Sequence, residues 1–521
     1  MQKLIFAIIF LLTQITSFKL IYSDINSKSN SSKITLNTGT TLSIKNEISN
    51  YTGTIEKEEN STITGSNINF NEGSLKESGN KINITGALEQ TGKILLNGNK
   101  SLRSKEGKVY QQIEVSAQNN KIEGNILTEN DILILDENAS VTLAITNKLP
   151  VNIQLGNGTI YLLEDLNFLD GKKIIGSTKS ASEGIIEPIG GVSIILNAEE
   201  LEWEKDIHFG RRTTLVFNSN VKLSASWTFG GRSNHVIEGN NNILFLEDLG
   251  QINIDSNSQL FIRNLTINGL SGTNIKCLYD NAQITFQNVQ IILFDNYSFQ
   301  TGAFQAQDYL ALSGPYQFNY QSNQVSTVKA ETTLILDENI TFSYDPGIAS
   351  KNLIALEDST STLQINNATL HTTMTGLQLK TGKLLINNNA ILSSEKQFFI
   401  EGEENILENN LTFTLIILDE GITLGNNNSL EDLTCEISKG AKLNIYGSLI
   451  YKNINESSWI MNQDQSSIEI QPDSSIKLYN SINLDKGQIN FYLNSNLEKY
   501  EDKKITGPIN AKGKIRQRNL S

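Results

Sequence analysis

Apolar and polar positions alternate in short runs along most of this chain. The segment DILILDENASVTL (131–143) is typical. An apolar run meets Asp-Glu, a turn-forming residue follows, and alternation resumes. TTLILDENITFSY (332–344) and TLIILDEGITL (414–424) repeat the arrangement. Period-two alternation over four to eight residues predicts half-buried strands, not helices. Each of these segments therefore reads as a strand, a polar corner and a second strand. Two adjacent carboxylates could serve acid–base chemistry. Their recurrence in several copies favours a structural corner, since one active site needs one copy.

Glycine sets a longer period. Gly190, Gly210, Gly230 and Gly250 stand twenty residues apart, and Gly269 follows one residue short of the next step. Between them lie VSIIL (192–196), TLVF (214–217), ILFL (243–246) and LFIRNLTI (260–267), all of strand length. ITG at 63–65 recurs at 84–86, and TGKILLNGNKSLRS (91–104) matches TGKLLINNNAILSS (381–394) at eight of fourteen positions. A repeat of this length cannot bury its own apolar face, so repeats stack into one continuous core. Sharp corners favour Gly and Asn, which tolerate positive φ. The predicted fold is all-β, an elongated parallel β-helix (β-solenoid) with rungs of about 20 residues.

The organisation expected is a signal peptide over 1–23, a first solenoid part over 24–298, and an irregular rung or boundary over 299–330. A second solenoid part over 331–500 and a basic tail over 501–521 complete it. The leader reading rests on Lys3, the apolar run LIFAIIFLL (4–12) and small residues at Ser17 and Ser23. That run is too short to span a bilayer comfortably, so no transmembrane anchor is expected. The stretch 299–324 is rich in Gln and aromatics, and includes Pro315 and Tyr316.

Composition narrows the partners. The formal net charge of −14 disfavours nucleic acid, whose phosphates need a basic footprint. Cys277 and Cys435 are the only cysteines and read as small apolar core residues. No Cys/His cluster has metal-site spacing, and no cofactor is expected. Asn-X-Ser/Thr triplets, for example at Asn138, Asn264 and Asn339, are glycan acceptors in form, though an Asn-, Ser- and Thr-rich chain produces them by chance.

The candidate binding segment is 203–235. It holds Trp203, Trp227, His208, His235, Arg211, Arg212 and Arg232. Phe209-Gly210-Arg211-Arg212 and Phe229-Gly230-Gly231-Arg232 lie one period apart, which would set Arg212 and Arg232 in one column. Aromatic faces beside forked donors suit a carbohydrate or carboxylate-bearing ligand. That role requires the tryptophans and arginines to share an exposed face. The competing reading places Phe209 and Phe229 in the core and pairs the arginines with Glu202, Glu204 or Glu238. His208 and His235 are out of phase with the period, which argues against a metal. His371 reads as a lone strand residue.

The rungs, Asn-rich corners and apolar strands across most of 30–490 resemble secreted right-handed parallel β-helix proteins, the pectin-lyase-like superfamily in the broad sense. Residues 219–291 also resemble repeats of uncharacterised exported bacterial proteins. The resemblance implies fold and export. The polygalacturonase-type members carry Asn-Thr-Asp, Asp-Asp, Gly-His-Gly and Arg-Ile-Lys segments, and none occurs here; the pectate-lyase type uses clustered acids for calcium and an Arg base, and no Asp-rich cluster of that kind stands in this sequence. The function expected is a non-catalytic, secreted or cell-surface scaffold or adhesin whose partner is carbohydrate or a host or cell-surface protein, with self-assembly left open. A polysaccharide-active lyase or hydrolase with a groove across several rungs is the alternative.

Overall fold

A computed structural model describes residues 112–124, 132–176, 183–189, 192–197, 200–373, 376–387, 464–500 and 502–511 continuously, and elsewhere further short strands or isolated positions. Every described regular element is a strand or a tight turn. Parallel strands stack as a β-solenoid of about 14 turns among the described residues. The chain divides into two compact units, Met1–Trp227 and Thr228–Ser521.

In the first unit, one column of strands runs through Gln112–Val115, Ile132–Leu135, Asn152–Leu155 and Ile174–Gly176. A second runs through Asn120–Gly124, Ser140–Ala144, Thr159–Leu162 and Gly184–Pro188. Register places Ile113 on Leu133 and Leu133 on Ile153, the twenty-residue step read from the sequence. The alternation predicts the burial. In Ile132–Leu135 and Thr159–Leu162 every second residue points inward and is buried. Residues 1–18 of the expected leader lie outside the described residues, and Lys19–Tyr22 form a strand paired with Thr41–Ile44.

The Asp-Glu corners are structural where they are described. Leu135 closes a strand, Glu137 and Asn138 are exposed, and the Ala139 amide donates to the Asp136 carbonyl at 3.1 Å. In the second unit Asp337 Oδ1 accepts the Glu338 amide and the Asn366 side-chain amide, each at 2.8 Å. The acid thus ties its own turn and the next rung. The acids of 414–424 lie outside the described residues. Corner geometry differs from the expectation in one respect. Among the described register glycines only Gly269 has positive φ, while Asn138, Asn264, Asn288, Asn339 and Asn367 all adopt it. Asparagine tolerates the left-handed region and adds side-chain bonds that glycine lacks.

Long strands in the second unit turn corners without a break: Gln259–Gly272, Gln283–Phe299 and Ala303–Ser313. The stretch 299–324 is therefore mostly well-paired strand. Its irregularity is a register shift between Gln287 and Val289, opposite Asp308, which has a φ of 59°. The segment 501–521 contributes further strands, and Arg516–Asn519 pairs with Asn496–Lys499.

Stacking in register puts like on like inside this unit. Tyr297, Phe318 and Phe342 form one inward column, and Phe299, Tyr320 and Tyr344 another. Phe318 and Phe342 stack at 5.2 Å with an 11° tilt, and Tyr320 and Tyr344 at 5.8 Å with 9°. Aromatic pairs of this kind add roughly 0.5–1.5 kcal/mol beyond area burial. The buried hydroxyls find partners in the longer loops. Tyr320 reaches the Leu353 carbonyl at 3.0 Å and Ser326 Oγ at 3.1 Å, and Tyr344 donates to the Ser350 carbonyl at 2.6 Å.

Burial pushes Tyr320 and Tyr344 from 10.0 up to about 12. The unfolded chain therefore loses these protons first as pH rises. Stability from both groups is fully present below pH 10 and is lost between pH 10 and 12. Tyr320→Phe and Tyr344→Phe should flatten that alkaline loss in denaturant titrations at stepped pH; an unchanged slope would refute the linkage. A second prediction concerns close approach. Gly302 has a φ of +71°, and a Cβ there would lie 2.5 Å from Cys277 Cβ and 2.6 Å from the Ala282 carbonyl. Gly272 has a φ of +54° with nothing within 4 Å. Both alanine variants carry backbone strain of about 1–2 kcal/mol, but only Gly302→Ala adds overpacking of about 1–3 kcal/mol. Equal losses in chemical unfolding would contradict the contact.

Candidate functional site

The segment 203–235 separates into an interior and a surface. Trp203 ends the strand Glu200–Trp203, and Trp227 lies in Ser226–Phe229, where alternate residues face inward. Both are 0% exposed. Their rings meet edge to face at 5.5 Å, and Phe209 and Phe217 pack on Trp227 at 6.4 and 6.1 Å. Trp203 Nε1 donates to the Lys205 carbonyl at 2.8 Å, whereas Trp227 Nε1 is enclosed without an acceptor. The stacking platform expected from the sequence is thus corrected: parity of the strand turns both indoles into the core, and neither presents a face to a ligand.

His235 is also interior, in the second unit. It is 0% exposed, its Nε2 lies 2.7 Å from the Gly230 carbonyl oxygen, and its ring meets Phe229 at 5.3 Å. His208 is half-buried on Ile207–Phe209 in the first unit, in register with Ile185. Phe209 and Phe229 are core residues, as the competing reading had them.

The arginines are on the surface. Among the described residues Arg211 pairs with Glu187 at 3.4 Å rather than with Glu204 or Glu238, and the Glu202 side chain lies outside them. Glu238 instead accepts the Asn264 side-chain amide at 2.9 Å. Arg212 is exposed in the first unit, and Arg232 is exposed in the second, at a turn with a φ of 54°. Lys205 is 4% exposed, and its burial lowers its pKa against the opposing pull of Asp206 and Glu183. His371 lies on Thr369–Thr372, in register with Ser343. Cys277 is buried and free, with its thiol pushed up to about 12 by desolvation. The Cys435 side chain lies outside the described residues. Among the described residues no group of three or more His, Cys, Asp or Glu is placed to hold a metal ion.

What the sequence reading missed is an outward face in the second unit. Strands Asn234–Glu238, Gln259–Gly272, Gln283–Phe299 and Ala303–Ser313 lie side by side there. Their inward residues are Leu260, Ile262, Ile284, Phe286, Phe304 and Ala306. The intervening positions carry Gln259, Phe261 and Arg263, then Gln283, Thr285 and Gln287, then Ala303, Gln305 and Gln307; of these Thr285 is buried and the rest are half-buried. Arg263 Cζ sits 5.4 Å over the Phe261 ring. Gln259 donates to Thr285 Oγ1 at 3.2 Å and Gln287 to Asp308 Oδ2 at 2.8 Å. The signal was parity: in QLFIR, QITFQ and AFQAQ the polar residues occupy every second place.

The chain shows no match to protein-family models, to curated proteins or to solved structures. Among the described residues no helix is long and apolar enough to cross a membrane.

The interior and surface halves of 203–235 should respond differently to truncation. Trp227→Ala should lose about 3–5 kcal/mol in chemical unfolding. Arg211→Ala, which removes an exposed pair, should stay within about 0.5 kcal/mol of the parent. A small loss for Trp227→Ala would contradict its place in the core.

Proposed function

We propose that this protein is a non-catalytic, exported β-solenoid that serves as an extracellular or cell-surface scaffold or adhesin, binding glycan through its outward sheet faces. One observation carries the reading: the titratable side chains His235, Cys277, Tyr297 and Tyr320 are turned inward, while an outer face of the second unit repeats side-chain amides. A surface built of repeated neutral hydrogen-bonding groups suits many weak contacts, which sum along a stack. The leader pattern at 1–23 supports export, and the likeness to secreted right-handed β-helix proteins of the pectin-lyase-like kind supports the same destination.

Expression with the native N-terminus, followed by mass measurement of the secreted product, tests export. Cleavage after Ser17 or Ser23 is the expected result, and retention of Met1 on a cytoplasmic product overturns it. Incubation with a panel of acidic and neutral polysaccharides tests the absence of catalysis. Constant chain length is expected; release of new chain ends, abolished by one acid or Arg substitution, replaces the scaffold with the lyase or hydrolase alternative.

A further inference from the structure

We infer that the outward amide face of the second unit, centred on Gln283, Gln305 and Gln307 and flanked by Phe261 and Arg263, binds an extended neutral polysaccharide. The inference rests on the glycan-binding part of the proposed function and names its site and ligand class.

Most polar side chains at the rung edges bond to their own stack. Asn288 donates to Asn264, Asn281 to Asn257, and Asn367 to Asn339, at 3.2, 3.1 and 3.3 Å. Gln259 and Gln287 are likewise held, by Thr285 and Asp308. Gln283, Gln305 and Gln307 differ. Their side-chain amides make no hydrogen bond among the described residues, and all three are half-buried on neighbouring strands. Each offers a carbonyl acceptor and two N–H donors, the set that matches a sugar hydroxyl, which both gives and accepts. Half-burial restricts their rotamers, so less freedom is lost on binding.

The flanking groups fit the same ligand. Phe261 lies on this face beside Thr285, and Arg263 covers part of its ring. An aromatic body beside forked donors suits a pyranose, with its apolar ring face and oxygen rim. Successive strands repeat at about 4.8 Å, close to the length of one sugar unit in an extended chain.

Charge selects a neutral chain. Glu238 is held by Asn264, Asp308 by Gln287, and Lys329 is paired with Glu357 at 2.9 Å. That leaves Arg263 as the one cation over the amides among the described residues of these four strands, within a chain of net charge −14. A polyanion would meet one favourable charge and a repelling protein, whereas a neutral chain meets the amides without penalty. A basic protein segment would meet the like charge of Arg263 and find Glu238 and Asp308 each already accepting one amide hydrogen bond.

The test titrates the full chain with linear hexasaccharides of β-1,4-glucan, xylan and mannan, with a polygalacturonate hexamer and a polylysine peptide as contrasts. The parent should bind at least one neutral hexasaccharide. The double variant Gln305→Ala, Gln307→Ala should bind it at least tenfold more weakly, with the thermal midpoint unchanged, because neither side chain bonds to the fold. Gln283→Ala gives an independent reading from the adjacent position should the double variant unfold. Unchanged affinity in both variants overturns this site while leaving the glycan-binding adhesin standing. Binding of polygalacturonate or polylysine alone overturns the ligand class. Absence of binding to every glycan overturns this inference and the glycan-binding part of the proposed function together, while the export and cleavage tests still judge the scaffold.

Discussion

In-register parallel stacking is the constraint on which the rest of this structure depends. Parallel strands meet at a fixed rise of about 4.8 Å, so each inward side chain lies against its counterpart one rung before and one after. A ring therefore recruits a ring, as Phe318 does for Phe342 and Tyr320 for Tyr344. A small residue is needed where the neighbouring backbone comes close, as at Gly302 above Cys277. The aromatic columns end where register passes them to Leu370 and Thr372. Thr372 is buried with its hydroxyl unpartnered, the penalty for ending such a column on a small polar group.

The same constraint sorts chemistry between inside and outside. Strand parity sends a residue to the core or to solvent, and one step along the chain reverses the choice. Trp203, Trp227 and His235 have inward parity, so their donors are satisfied by local carbonyls or enclosed. Gln283, Gln305 and Gln307 have outward parity and keep their amides accessible. Residue type alone pointed to the first group, and position in the pleat points to the second.

Much of the fold was legible in the sequence because alternation and a twenty-residue step are direct images of pleat and rung. ILIL at 132–135 and TIYL at 159–162 have the burial their alternation predicts. The site was less legible for two physical reasons. Tryptophan, histidine and arginine suggest function by their chemistry, yet a broad core also needs large rings. The rungs of the second unit are also unequal: Leu260 stacks on Ile284 and Ile284 on Phe304, steps of different length. A fixed period therefore loses phase there, and the glutamines do not line up until the strands are paired. The glycine register identified corners but not their conformation, because Gly210, Gly230 and Gly250 do not take the left-handed position, which asparagine holds at corners such as Asn138, Asn339 and Asn367.

That last choice has a consequence for reading the chain by motif. At Asn138, Asn339 and Asn367 the corner residue has positive φ, the next residue (Ala139, Ile340 or Ala368) is buried, and the third opens a strand as Ser140, Thr341 or Thr369. Left-handed asparagine, an inward plug and a β-favouring hydroxyl residue spell Asn-X-Ser/Thr. The acceptor triplet for glycosylation is thus written by corner mechanics, whatever cell makes the protein. In a solenoid of this design, the density of such triplets tracks how often the backbone changes direction.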